Sequence, residues 1–140
     1  MNLGVYRDTV FSMSQRHHSG KQGKVWGTTT RVFYSPTAMV EHVRVKAGWR
    51  CSKHHHPMRF NQFYVVRGRL KVVSFKDGLE DESILEAGES VVVPPGTVHH
   101  FEALSDLDAI EVYWVEIPEP DIVRQDQGQF VGVPLSAARD

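Results

Sequence analysis

Gly48-Trp49-Arg50-Cys51-Ser52-Lys53-His54-His55-His56 and Gly88-Glu89-Ser90-Val91-Val92-Val93-Pro94-Pro95-Gly96-Thr97-Val98-His99-His100-Phe101 decide how this sequence is read. Five of its eight histidines lie in these two stretches. On extended backbone successive side chains alternate, so His54 and His56 share one face and His55 takes the other. Two imidazoles spaced by two on a strand can converge on one metal ion. In the second stretch a rigid Pro-Pro-Gly turn delivers two histidines at the start of a strand. One of His99 and His100 points inward, and alternation by itself allows either.

Working outward, the same period of two continues. Met39, Glu41, Val43 and Val45 form one face of a strand, and Val40, His42, Arg44 and Lys46 the other. Similar runs fall at 30–34, 51–56, 61–67, 69–75, 90–94, 98–104 and 108–117. Turn residues separate them at Ala47-Gly48, Pro57, Gly68, Asp77-Gly78, Ala87-Gly88 and Pro94-Pro95-Gly96. Many short strands with close turns predict an all-β sandwich or barrel. Residues 1–24 read as a polar arm, 25–117 as the barrel and 118–140 as a tail. Pro118 and Pro120 end the last strand, which places the tail over the barrel or a partner subunit. The acidic stretch 76–83 reads as an exposed hairpin tip. Residues 1–30 are expected to cover an open sheet edge by pairing with a second subunit, giving a homodimer.

The composition narrows the function. With 140 residues and 41% hydrophobic content there is material for one core. Lys plus Arg number 16 against 17 for Asp plus Glu, so no basic face is available for nucleic acid. The N-terminal residues do not read as a secretion signal and no apolar run reaches membrane-spanning length, so a soluble, cytoplasmic protein with no membrane partner is expected. Cys51 is the single cysteine, which excludes an internal disulfide or a thiolate zinc cluster. Alternation over three residues puts it on the face opposite His54, as a small packing residue rather than a nucleophile.

At these positions the sequence resembles the cupins. Their first motif reads here as Gly48, His54, His56, Asn61 and Gly68, and their second as Gly88, Pro94, Gly96, His99 and Ala103. The resemblance implies an antiparallel double-stranded β-helix, the jelly-roll barrel. It also implies one divalent metal ion (Fe, Mn, Zn or Ni) and selects His99 over His100 as the inward ligand. Two positions depart from the pattern: Asn61 stands where most metal cupins carry a glutamate ligand, and Ala103 where they carry asparagine. Three neutral imidazoles and an amide leave a divalent ion at +2, whereas a carboxylate would lower it to about +1. Such a site attracts anions. The three-histidine set is similar to that of the cupin thiol dioxygenases. Ser52 to Gly68, together with Glu111 to Asp126 and its Asp121-Ile122-Val123-Arg124 run, resembles the type II mannose-6-phosphate isomerase domain.

The expected metal set is therefore His54, His56 and His99 with Asn61, and Arg59 and Asn61 are the expected substrate-binding residues. Arg50, Arg67 and Arg69 are weaker candidates for gripping an anion. His55 and His100 are expected to point outward or to stand behind the ligands, and His17 and His18 to lie on the surface. Trp49, Phe63, Tyr64, Phe101, Tyr113 and Trp114 are expected in the core or a subunit interface. The function expected is a metal-dependent enzyme for a small polar or anionic substrate, isomerase-like or dioxygenase-like. A non-catalytic sugar-binding or sensing barrel is the alternative, and a metal-free barrel with a polar, histidine-lined pocket is a third.

Overall fold

A computed structural model of the chain describes residues 20–117, 124–125, 127 and 129–132. His17, His18, the first 19 residues of the arm and the Asp121-Ile122-Val123 run lie outside the described residues. Nine strands and no helix occur among those described: β1 (Lys21–Lys24), β2 (Gly27–Tyr34), β3 (Ala38–Val45), β4 (Phe60–Arg67), β5 (Leu70–Lys76), β6 (Leu79–Leu85), β7 (Ser90–Val93), β8 (Val98–Ala103) and β9 (Leu107–Trp114). No described helix is therefore long and apolar enough to cross a membrane.

The strands form two antiparallel sheets of a jelly roll, ordered β1-β2-β3-β9-β4-β7 and β6-β5-β8. Two strands are additions to the sequence reading. Lys21–Lys24, read as part of the arm, pairs with β2 as an edge strand. Most of the acidic stretch is β6 rather than a tip, because the turn is confined to Asp77-Gly78 and the chain then pairs with β5. Asp77 and Gly78 both have positive φ, the geometry that a tight hairpin demands.

The expected strand at 51–56 is irregular. Residues 48–56 run antiparallel to 96–103 through Gly48 N–H to Ala103 O, Cys51 N–H to Phe101 O, His54 N–H to His99 O and Gly96 N–H to His56 O. Arg50 faces Glu102 and His54 faces His99, so four steps on one side match three on the other. The extra residue is a bulge, and it resets the alternation. Cys51 therefore turns into the core on the same side as His54, not opposite it. Its Sγ accepts the Phe101 N–H at 3.2 Å, and burial pushes the thiol up to about 11, so it is inert packing as expected.

Inward residues of both sheets build the core at one end of the barrel: Val43, Val45, Phe63, Val65, Leu70, Val72, Phe101 and Leu107 are all buried. Trp49 and Tyr64 are exposed, and Trp114 stacks on Phe60 with ring centroids 5.2 Å apart. Gly68 shows why this motif position is glycine. Its φ is +94°, and a Cβ there would come within 2.2 Å of Asp106 O.

Candidate metal centre

The histidines meet at the end of the barrel beyond this core. His54 and His56 come from the bulged segment and His99 from β8. One ring nitrogen from each lies within 4.8 Å of the others. The centroids of His54 and His99 are 4.8 Å apart, those of His54 and His56 5.0 Å, and those of His56 and His99 5.6 Å. His55 is exposed. His100 faces out of the barrel, where its Nε2 meets Glu102 Oε1 at 3.0 Å and its ring lies against Phe75.

Hydrogen bonds set the tautomers. His54 Nδ1 lies 2.7 Å from Ser52 O and His99 Nδ1 lies 2.9 Å from Thr97 O. A carbonyl only accepts, so each Nδ1 carries the proton and each Nε2 is left with a lone pair. His56 Nε2 is buried with no hydrogen-bond partner among the described residues. Burial first, then the charges of His54 and Arg59, hold the His56 imidazole down to about 4, and burial also lowers His99. Ring nitrogens of three imidazoles converging on one point form a donor set that suits a divalent transition-metal ion.

Asn61 comes from the start of β4, is 1% exposed, and places Oδ1 3.2 Å from His99 Nε2. Behind it stands Glu111 of β9, which the sequence reading did not use. Its Oε2 lies 3.5 Å from Asn61 Nδ2 and also accepts the Tyr113 hydroxyl. Burial, reinforced by the charge of Glu41, pushes the Glu111 carboxyl up to about 8. A carboxyl thus borders the site after all, one strand away from the motif position. The signal was present in β9: Leu107, Ala109 and Glu111 alternate inward, and an acid in such a row is expensive unless it has a task.

The arginines separate. Arg59 lies over the Tyr113 ring, 5.0 Å from its centroid, and that ring stands edge-on to His56 at 5.3 Å. Arg67 is paired with Asp108 at 2.9 Å and Arg69 with Glu86 at 2.7 Å, both at the opposite end of β4 from Asn61. Arg50 pairs through its backbone with Glu102 on β8. His42, also bound to Asp108, belongs to the far cluster. Only Arg59 of the four borders the histidines.

These shifts set a pH dependence for metal-free protein. His56 has an unfolded value of 6.5 and a folded value of about 4, so the unfolded chain binds more protons in that interval and stability falls as pH drops through it. Glu111 goes from 4.5 to about 8, so the folded chain binds the extra proton and stability falls as pH rises through that range. Above 6.5 only the carboxyl acts, so thermal melts of chelator-treated protein should decline from pH 6.5 to 8, and Glu111→Gln should remove that decline.

Solved structures repeat this architecture. KdgF from Halomonas sp. is 24% identical and superposes with a TM-score of 0.61 over 72% of this chain and 88% of its own. Oxalate decarboxylase of Bacillus subtilis, a protein with Mn(II) centres, is 18% identical with a TM-score of 0.63. The match covers 69% of this chain but 27% of the decarboxylase. The cupin domain of Schizosaccharomyces pombe Cnp3 is 12% identical, with a TM-score of 0.59 and 69% of each chain covered. At these identities the likeness shows the fold. No curated protein sequence matches the chain. The cupin domain profile matches residues 41–116, more than half of the 140 and including every residue of the three-histidine cluster. This chain belongs to the cupin family.

Proposed function

We propose that the chain is a metal-dependent cupin enzyme for a small polar or anionic substrate. His54, His56 and His99 would hold one divalent ion of iron, manganese, zinc or nickel, with Asn61 Oδ1 as a neutral fourth donor. The observation that carries this is the convergence of one ring nitrogen from each of three histidines, with His56 Nε2 buried and without a hydrogen-bond partner among the described residues. A bound ion supplies Lewis acidity there, or oxygen activation in the case of iron. Asn61 adds no charge, so the centre keeps its pull on an anion. The buried Phe63 ring stands edge-on to His99, with centroids 6.1 Å apart. Arg59 stands at the mouth on the Tyr113 ring, within reach of a carboxylate or phosphate on a molecule whose other end enters the centre. The B. subtilis oxalate decarboxylase supports the reading as a protein of this fold with Mn(II) centres.

The test is calorimetric titration of sugar phosphates, small dicarboxylates and small thiol carboxylates into metal-loaded and metal-free protein, with product formation followed by NMR. An anion should bind only the loaded form, and Arg59→Gln should weaken it about tenfold, the loss of one charge-assisted hydrogen bond. Equal binding with and without metal would remove the metal from recognition. Metal-dependent binding with no turnover of any ligand would favour a non-catalytic binding module.

A further inference from the structure

An amide has a donor edge and an acceptor edge, and turning it over exchanges them. Asn61 Oδ1 faces His99 Nε2 at 3.2 Å, and the proton of that ring is committed to Thr97 O. Two acceptors face each other, an arrangement that is unfavourable until a cation lies between them. Something must keep the amide from turning. The register of β4 on β9 pairs Asn61 with Tyr113 and Phe63 with Glu111, which sets the Glu111 carboxyl diagonally beside the amide. Glu111 is 5% exposed and is the one buried acid among the described residues. Its Oε2 takes both the Asn61 NH2 and the Tyr113 hydroxyl, while Tyr113 also carries Arg59 on its ring.

We propose that Glu111, itself held by Tyr113, is a positioning residue: it grips the donor edge of the Asn61 amide so that Oδ1 faces the three-histidine centre as an oxygen ligand. The proposal rests on the metal-binding reading of His54, His56 and His99. Oε2 accepts both hydrogen bonds, and any proton on the carboxyl then belongs on Oε1. The carboxyl that most metal cupins place directly on the ion thus stands one residue behind it, and its effect reaches the ion through a neutral amide. Groups behind metal ligands characteristically orient those ligands in this way.

The experiment is a double-mutant cycle on Co(II) affinity, measured by competition with a chelating dye, together with the visible absorption of the bound Co(II). Glu111→Met should weaken Co(II) about tenfold and shift its absorption bands, the lower end of what losing an outer partner costs. In an Asn61→Ala background the same change should alter affinity less than about twofold, because the residue it acts through is gone. An equal loss in both backgrounds overturns the proposal and assigns Glu111 a direct electrostatic or purely structural effect. Tyr113→Phe, which deletes one hydroxyl, should move affinity and spectrum in the same direction; no movement would count against the chain of contacts even if Glu111→Met does not fold. Wild-type protein that takes up no Co(II) would instead strike at the three-histidine reading. The grip is then read from exchange of the Asn61 side-chain NH2 protons, which should be protected in wild type and fast in Tyr113→Phe. Fast exchange in both overturns it.

Discussion

His99→Ala is expected to abolish stoichiometric metal uptake. His99 is 1% exposed, comes from β8 and is held by Thr97 O, and it is the most deeply buried of the three donors. Removing it leaves His54 and His56, which sit on the irregular segment, as two donors on one side of the ion. Loss of an outer partner costs roughly 10–100-fold in affinity, and loss of a direct ligand should exceed that. Elemental analysis after metal supplementation should give about one equivalent per chain for wild type and far less than one for the variant. Full occupancy in His99→Ala would remove His99 from the site. The His100→Ala control should keep its metal, since that ring faces Glu102 and Phe75 outside the barrel.

Asn61→Glu should have two large effects of opposite sign. A carboxylate in this buried position lowers the charge of a loaded centre from +2 to +1 and adds a stronger oxygen donor, so metal should be held about tenfold tighter or more. One added negative charge about 5 Å from a bound anion, at an effective dielectric constant of about 20, costs about 3 kcal/mol, so anion binding should fall by about 100-fold. Without metal the new carboxyl meets Glu111 in a buried pair, so the metal-free variant should melt well below wild type and recover on loading. Calorimetric titration of metal and then of anion into both proteins checks each sign. Tighter metal with unchanged anion binding would show that the neutral amide does not serve anion recognition. Absence of anion binding to loaded wild type would end the charge argument altogether.

Much of the centre was legible because its residues are close in sequence or sit at fixed distances from turns. The interval of two between His54 and His56 survives in the structure, and Gly96 places His99 at the start of β8 as the motif resemblance implied. The choice between His99 and His100 was not available from alternation, since a strand has two equivalent faces until something covers one of them. Cys51 was misplaced for a related reason. A bulge changes the parity of a strand, and it becomes visible only when Arg50 and His54 are matched against Glu102 and His99. β1 and β6 were missed because their polar, exposed residues carry little apolar periodicity; neighbouring backbone defines them as strands.

The sequence by itself determined the all-β class, the turn positions and the shared face of His54 and His56, because side-chain period and turn chemistry are properties of a few consecutive residues. The preference for His99 and the reading of Asn61 as a neutral residue in place of a charged one came from the motif resemblance. Only the tertiary structure decided what stands behind Asn61 and which arginine borders the centre. Glu111 is 50 residues from Asn61, and Arg59 is separated from Tyr113 by most of the barrel's length in sequence. Antiparallel pairing of β4 with β9 brings them together. No local pattern encodes which distant strand will be the neighbour, so the second layer of the site exists only once the sheets have closed.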